Sequence, residues 1–337
     1  MQVEKTLEAL LRDAPQGVAP IITAIAAACV EIERLTSLGG LAGSLGASLG
    51  QNADGDTQKE LDVRAQELMM VAMRQSGVAA IASEELEDWE LCDAKGTFAV
   101  AFDPLDGSSN IDTNMSIGTI FSILPAKGSD NPFTQPGHAQ IAAGFAVYGP
   151  QTLLVLTFGK GTDVLTLDPR DGVWRVTRNH VQITGNSTEY AVNASNYRHW
   201  DRAVRAYVDD CVSGVEGPRE KNFNMRWIGS LVAEAFRILT RGGVFLYPGD
   251  VRQGYREGRL RLLYEAHPIA FVIEQAGGRA SNGHGRILDM VPKSIHQRVP
   301  LFFGSAEKVE RLERLHNDPQ IGSETSPLFG RRGLFRA

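Results

Sequence analysis

FDPLDGSSN, residues 102–110, closes an apolar run with two aspartates three positions apart, a proline between them, and a glycine and two serines behind. Two like charges on one bend are unfavourable: carboxylates ~4 Å apart repel by about 1 kcal/mol in water and about 4 kcal/mol at an effective dielectric near 20. A divalent ion chelated from both sides of the bend reverses that balance and gives Asp103 and Asp106 a joint purpose. Gly107 and Ser108 remove side-chain bulk, and if Ser109 and Asn110 open a helical turn, their N–H groups are offered to an anion. Read alone, Asp-Pro followed by Gly-Ser is an ordinary turn. The acids elsewhere in the chain carry the choice.

The run VAAIASEE ends in Glu84 and Glu85, TFAVAFD ends in Asp103, and GRLRLLYE ends in Glu265. The first two read as short buried strands. Binding sites in open α/β sheets form beyond the carboxyl ends of strands, so acids distant in sequence can meet there. Adjacent glutamates by themselves are more often a solvated patch. Combined with Asp103, Asp106 and the Leu105 carbonyl, they form an all-oxygen set suited to Mg2+ or Mn2+. Metal on one side of the bend and amides on the other describe a phosphate site.

Strands alternate with helices along the rest of the chain. LDVRAQELMMVAMRQSG places Leu61, Ala65, Leu68 and Ala72 at helical spacing and ends at Gly77. GTIFSILP, AAGFAVYG, TLLVLTFG and TDVLTLD read as strands set off by turn residues. Beyond about residue 185 come helix RAVRAYVDDCV, helix IGSLVAEAFRILTRGG, strand GVFLYP, a strand-like GRLRLLYE, helix PIAFVIEQAGG between Pro268 and Gly277, and strand VPLFFGS. Arg259 and Arg261 alternate on that strand-like run and are expected to share a face with Leu263. The pattern is α/β. It predicts one domain over 1–185, a second over 186–322, and a flexible tail over 323–337.

At 337 residues the chain exceeds one ordinary core, which fits two domains or one large layered unit. A net charge of −6 argues against nucleic acid or an acidic membrane as the main partner, while leaving room for a small anion held by a few arginines. Cys29, Cys92 and Cys211 have no redox or metal spacing and read as reduced thiols of a cytoplasmic protein. The apolar stretch VAPIITAIAAACV stops at Glu31, is too short to span a bilayer, and reads as a buried helix.

From about residue 50 to about 310 the chain resembles the class I fructose-1,6-bisphosphatases, within the metal-dependent, lithium-sensitive sugar phosphatases. The motifs are GDTQKELDV, SEE, FDPLDGSSNID, SIGTIF, IGSLVAE, GGVFLYP, GRLRLLYEAHPIAF and IHQRVP. The resemblance implies a layered αβαβα sandwich. It implies that Glu84, Glu85, Asp103, Asp106 and Glu265, with the Leu105 carbonyl, hold two or three Mg2+ ions per subunit, Mn2+ being an alternative. Asp56 and Asp62 would assist water activation, and Glu85 or Asp62 would take the proton. Gly107, Ser108, Ser109 and Arg261 would hold the 1-phosphate, and Asp106 and the Leu231 backbone would touch the sugar. Asn193, Arg226, Tyr247 and Arg259 would grip the 6-phosphate, with Arg226 donated across an interface of a homotetramer. The implied reaction is hydrolysis of fructose 1,6-bisphosphate to fructose 6-phosphate and phosphate, in gluconeogenesis or a Calvin-type cycle.

Some positions depart from the family pattern. Trp227 stands where a tyrosine is usual, Arg259 replaces a lysine, and NAS replaces NEG at 193–195. Tryptophan has one donor and no acceptor, and arginine offers a planar fork instead of a point charge. The remote pocket is therefore altered, which keeps sedoheptulose 1,7-bisphosphate open as the main or additional substrate. The AMP-binding pattern is missing, with Thr97 and Phe98 where a lysine-tyrosine pair is usual, and so is the light-regulated cysteine loop. An inositol-phosphatase-like monoesterase would not need Arg226, Tyr247 and Arg259. A non-catalytic phosphosugar-binding module would not need Asp56 and Asp62 beside the metal ligands.

Overall fold

A computed structural model describes residues 5–51, 57–126 and 130–318; the tail expected over 323–337 lies outside the described residues. The first half holds α1 (Leu7–Leu11), α2 (Val18–Leu38), a ribbon of β1 (Ser48–Gln51) and β2 (Thr57–Lys59), and α3 (Glu60–Gln75). Then follow β3 (Ala80–Ser83), β4 (Glu90–Leu91), β5 (Phe98–Asp106), β6 (Ile117–Pro125), β7 (Ala142–Tyr148), β8 (Thr152–Thr157), β9 (Thr162–Leu167) and β10 (Trp174–Arg178). The second half runs through β11 (Glu189–Ala191), α4 (Arg202–Val212), β12 (Asn224–Met225), α5 (Leu231–Arg241), β13 (Val244–Tyr247) and β14 (Leu260–Arg261). It ends with α6 (His267–Gln275), β15 (Gly278–Ser281), β16 (Arg298–Val299), β17 (Leu301–Ser305) and α7 (Ala306–Asn317).

Strands β3 to β10 form one eight-stranded sheet in the order β10-β9-β8-β7-β6-β5-β3-β4. A second sheet has the order β12-β11-β13-β17-β15. The first sheet is antiparallel except where β3 runs parallel to β5. That pair sends both chain ends out on the same side, which is where Glu84 and Asp103 lie.

Side-chain alternation along the strands builds the layers. One face of the first sheet, with Ile81, Val100, Phe102 and Phe121, packs on α1, α2 and α3. Its other face, with Ile120, Phe145 and Val155, shares a core with α5, α6 and the Phe245, Leu301 and Phe303 face of the second sheet. The opposite face of that sheet, with Val244, Leu246 and Phe302, is covered by α4 and α7. Helix, sheet, helix, sheet, helix is the expected five-layer α/β sandwich.

The helix expected to stop near Glu31 continues to Leu38, although its buried stripe ends at Ile32. In α3, Leu61 and Ala65 are buried as expected, while Met69 and Met73 fill the centre and Leu68 and Ala72 pack at the margin. Strand β5 runs on through Pro104 to Asp106, with a register shift between Asp103 and Asp106. A proline without an N–H is accommodated at such a bulge. The face-sharing expected of Arg259, Arg261 and Leu263 does not hold: β14 spans only Leu260–Arg261, and Leu262–Ala266 wind into a π-helical turn. Leu263 packs instead with Ala80, Ala99 and Ala101. The turn serves the site, because it swings Glu265 toward β5.

Candidate active site

The parallel β3–β5 ladder continues one step past β3, where the Glu84 amide donates to the Phe102 carbonyl at 3.2 Å. Glu84 therefore leaves the sheet beside Asp103. The π-helical turn brings in Glu265, whose carboxylate accepts from the Arg261 amide. One oxygen each from Asp103, Asp106 and Glu265 lie within 4.8 Å of one another, all three residues being buried. The Arg261 guanidinium lies 3.7 Å from the Glu84 carboxylate.

Burial and mutual repulsion move these acids out of the ordinary carboxylate range. Burial, only partly opposed by Arg261, pushes Glu84 up to about 7. Burial, then Glu84, Asp106 and Glu265, hold Asp103 well above its usual value. Glu265 is raised by burial and by Glu84. Asp106 is raised by burial to about 6, the Val232 amide and Ser230 hydroxyl restraining the shift. Buried, repelling and all-oxygen, this donor set fits a hard divalent cation.

Asp62 sits in the first turn of α3 and accepts from the Lys59 amide at 2.7 Å. Burial raises it to about 7, and proximity to Glu85 adds to the rise. Glu85 in turn accepts from the Gln58 side chain at 2.6 Å. Asp62 is thus brought to the edge of the acid cluster; Asp56 lies outside the described residues. Past Asp106, Gly107 takes a φ of 79°, and Ser108–Thr113 form a 3-10 turn, so the helical turn expected at Ser109 and Asn110 is present. Asn110 ties that turn to the Gly229 carbonyl at 3.2 Å.

The other candidates divide. Asn193, Tyr247 and Arg259 line one cleft of about 180 Å³, together with Trp227, Asp250, Arg252 and Tyr255. Trp227 stacks on Phe245 at 5.8 Å and forms part of the wall. Tyr247 is raised by burial, opposed by Arg259. The Arg261 guanidinium donates to the Arg259 carbonyl at 3.0 Å, which couples the cleft to the acids. Arg226 is not in the cleft of its own chain; half-exposed, it lies 3.7 Å from Glu189.

Sequence reading missed Ser230, Asp250, Arg252 and Tyr255. Ser230 carried a signal, a serine just before a periodic apolar run, which is where a helix cap belongs; its hydroxyl caps α5 and also donates to Asp106 at 3.2 Å. The other three sit in an irregular turn and carried none.

The family models for the N-terminal and C-terminal domains of fructose-1,6-bisphosphatase match residues 2–179 and 183–317. A fructose-1,6-bisphosphatase class 1 of Rhodopseudomonas palustris strain BisB18 is 60% identical over 321 residues, covering 95% of this chain and 93% of the relative. One from Nitrobacter vulgaris is 58% identical over 323 residues, covering 95% and 94%. The crystal structure of Leishmania major fructose-1,6-bisphosphatase in holo form superposes with a TM-score of 0.88 at 35% identity, over 94% of this chain and 100% of that one. With an acid cluster, a neighbouring cationic cleft and matches across both halves, the chain belongs to the class 1 fructose-1,6-bisphosphatase family.

Proposed function

We propose that this chain hydrolyses the 1-phosphate ester of D-fructose 1,6-bisphosphate, releasing D-fructose 6-phosphate and inorganic phosphate. The observation that supports this most is the coupling of the buried acids to a second, cationic cleft through Arg259-Leu260-Arg261. Two residues of extended chain span about 6.6 Å, which with side-chain reach suits two phosphates on one short sugar.

In this reading Glu84, Glu85, Asp103, Asp106 and Glu265, with the Leu105 carbonyl, hold two or three Mg2+ ions, Mn2+ being the alternative. Bound there, divalent ions would neutralise phosphoryl oxygens, polarise the phosphorus and activate water. Asp62 or Glu85 accepts the proton of the attacking water; a raised pKa near neutrality, as at Asp62, suits a general base. Asp56, assigned by resemblance, shares that task. The N–H groups of Gly107, Ser108 and Ser109, with Arg261, orient the reacting phosphate. Asp106 and the Leu231 backbone hold the sugar.

Asn193, Tyr247 and Arg259 hold the distal phosphate. Arg226 joins them from a neighbouring subunit of a homotetramer, a role supported by its half-exposed position outside its own cleft. Cytoplasmic residence is supported by three cysteines without a disulfide. Among the described residues no helix is long and apolar enough to cross a membrane.

The test is inorganic phosphate release from fructose 1,6-bisphosphate and from sedoheptulose 1,7-bisphosphate, with Mg2+ and with a chelator. Mg2+-dependent release from the six-carbon sugar is expected. No release from either sugar sinks the reading, and a strong preference for the seven-carbon sugar transfers it to that substrate.

A further inference from the structure

We infer that Tyr255 is a positioning residue that sets this chain's preference for sugars carrying a second phosphate; the inference rests on the function proposed above. The phenol ring packs against two guanidiniums, with the Arg252 Cζ 4.3 Å and the Arg259 Cζ 5.1 Å from its centroid. All three side chains line the distal cleft.

Two cations on one ring would repel, but their charges are handled differently. The buried Asp250 carboxylate takes up that of Arg252, accepting from its Nε at 3.0 Å, from its Nη2, and from its backbone amide at 2.9 Å. Arg252 and Asp250 are thus a neutral pair held against the ring. Arg259 is exposed, and its charge faces the cleft.

The turn that carries the ring is closed on itself. The Asp250 amide donates to the Tyr255 carbonyl at 3.0 Å, the Tyr255 amide to the Arg252 carbonyl at 3.1 Å, and the Gly258 amide to the Tyr255 carbonyl at 3.1 Å. Arg259 is therefore restrained at both ends, its carbonyl by Arg261 and its guanidinium by the ring. A guanidinium lying on an aromatic face keeps its N–H edge free for a phosphate. Restraining it beforehand lowers the ordering cost of binding. Such a role needs the ring and not the hydroxyl.

The experiment is Mg2+-dependent kinetics of wild type, Tyr255→Phe and Tyr255→Ala on fructose 1,6-bisphosphate and on fructose 1-phosphate, which has the same ester and no distal phosphate, with melting curves alongside. Tyr255→Ala is expected to raise KM for the bisphosphate about tenfold, with kcat within about twofold and at most about a twofold loss on the monophosphate. Tyr255→Phe is expected to behave as wild type. Should Tyr255→Ala fail to fold, Arg252→Gln, which breaks that pair, is expected to show the same selective rise in KM. An unchanged ratio of kcat/KM between the two esters in the folded variant overturns the inference alone, as does a Phe variant as impaired as the Ala one. Wild type that releases no phosphate from the bisphosphate overturns the functional reading together with the inference.

Discussion

The backbone amide of Val232 donates to the carboxylate of Asp106 at 3.0 Å. This bond ties the end of β5, in the first sheet, to the first turn of α5, which packs between the sheets. Ser230 reinforces it by donating to the same carboxylate and by accepting from the Ala233 amide at 3.4 Å. Ser230→Ala removes a helix cap and a donor to Asp106 together. The expected cost is about 1 kcal/mol of stability, with a drop in kcat. Unfolding curves and phosphate release check it; wild-type values in both would show that the amide of Val232 suffices.

Close approach at this junction depends on Gly118, which pairs with Asp106 in the β5–β6 ladder. A Cβ there would lie 2.1 Å from the Ala146 carbonyl oxygen and 2.6 Å from a Val232 methyl. Gly118→Ala therefore pushes α5 off the sheet and is expected to destabilise the protein by about 2–4 kcal/mol. Activity should fall with it. A melting curve that overlays wild type would show the helix can yield without loss.

Asp103→Asn tests the acid cluster directly. Phosphate release is expected to fall by at least about 100-fold in protein that remains folded. Unchanged turnover would remove Asp103 from the metal-binding set.

Metal removal should expose the repulsion among the acids. Folded, Glu84 and Asp106 are held up to about 7 and about 6, against about 4 in the unfolded chain. Between those values the folded state binds more protons, so stability falls as pH rises. In chelator the melting temperature of wild type is expected to decline from about pH 5 to about pH 8. Mg2+ should restore it, and Asp103→Asn should flatten the decline. A flat profile for metal-free wild type would contradict the clustering.

A second pH dependence lies between α7 and the start of α4. His316 Nε2, on α7, is 3.3 Å from the Asp201 carboxylate. Burial opposes the charge on His316, yet Asp201, with the Leu312 carbonyl and Glu313, outweighs it and the imidazole is raised. Burial pushes Asp201 up, but His316 together with the Val204 and Ala203 amides brings it below its usual value. The pair stabilises while His316 is protonated and Asp201 ionised. That contribution is lost as pH rises through the raised imidazole pKa, and again in acid as Asp201 protonates. Since Asp201 is half exposed, about 0.5 kcal/mol is expected. His316→Gln should melt below wild type near pH 6 and converge with it above about pH 9; a constant gap would assign the effect to packing.

Much of the fold was legible in the chain itself. The apolar runs that became β3, β5, β6, β7, β8 and β9 announced themselves, because a strand buried on both faces is apolar at most positions. Helix α6 was bounded by Pro268 and Gly277 for equally local reasons. The short β11 and β12 were not, since two or three residues carry no period and exist only because a neighbour supplies hydrogen bonds.

What the sequence determined by itself is which residues are acidic, basic or apolar, and therefore what chemistry any site could perform. The meeting of Asp103, Asp106 and Glu265 was decided by the tertiary structure, through a parallel strand pair, a bulge at Pro104 and a π-helical turn that no periodicity announces. So was the packing of Tyr255 against two arginines. Patterns within one element follow from local sterics and burial, whereas distances between elements follow from how whole layers pack, and only the folded chain sets those.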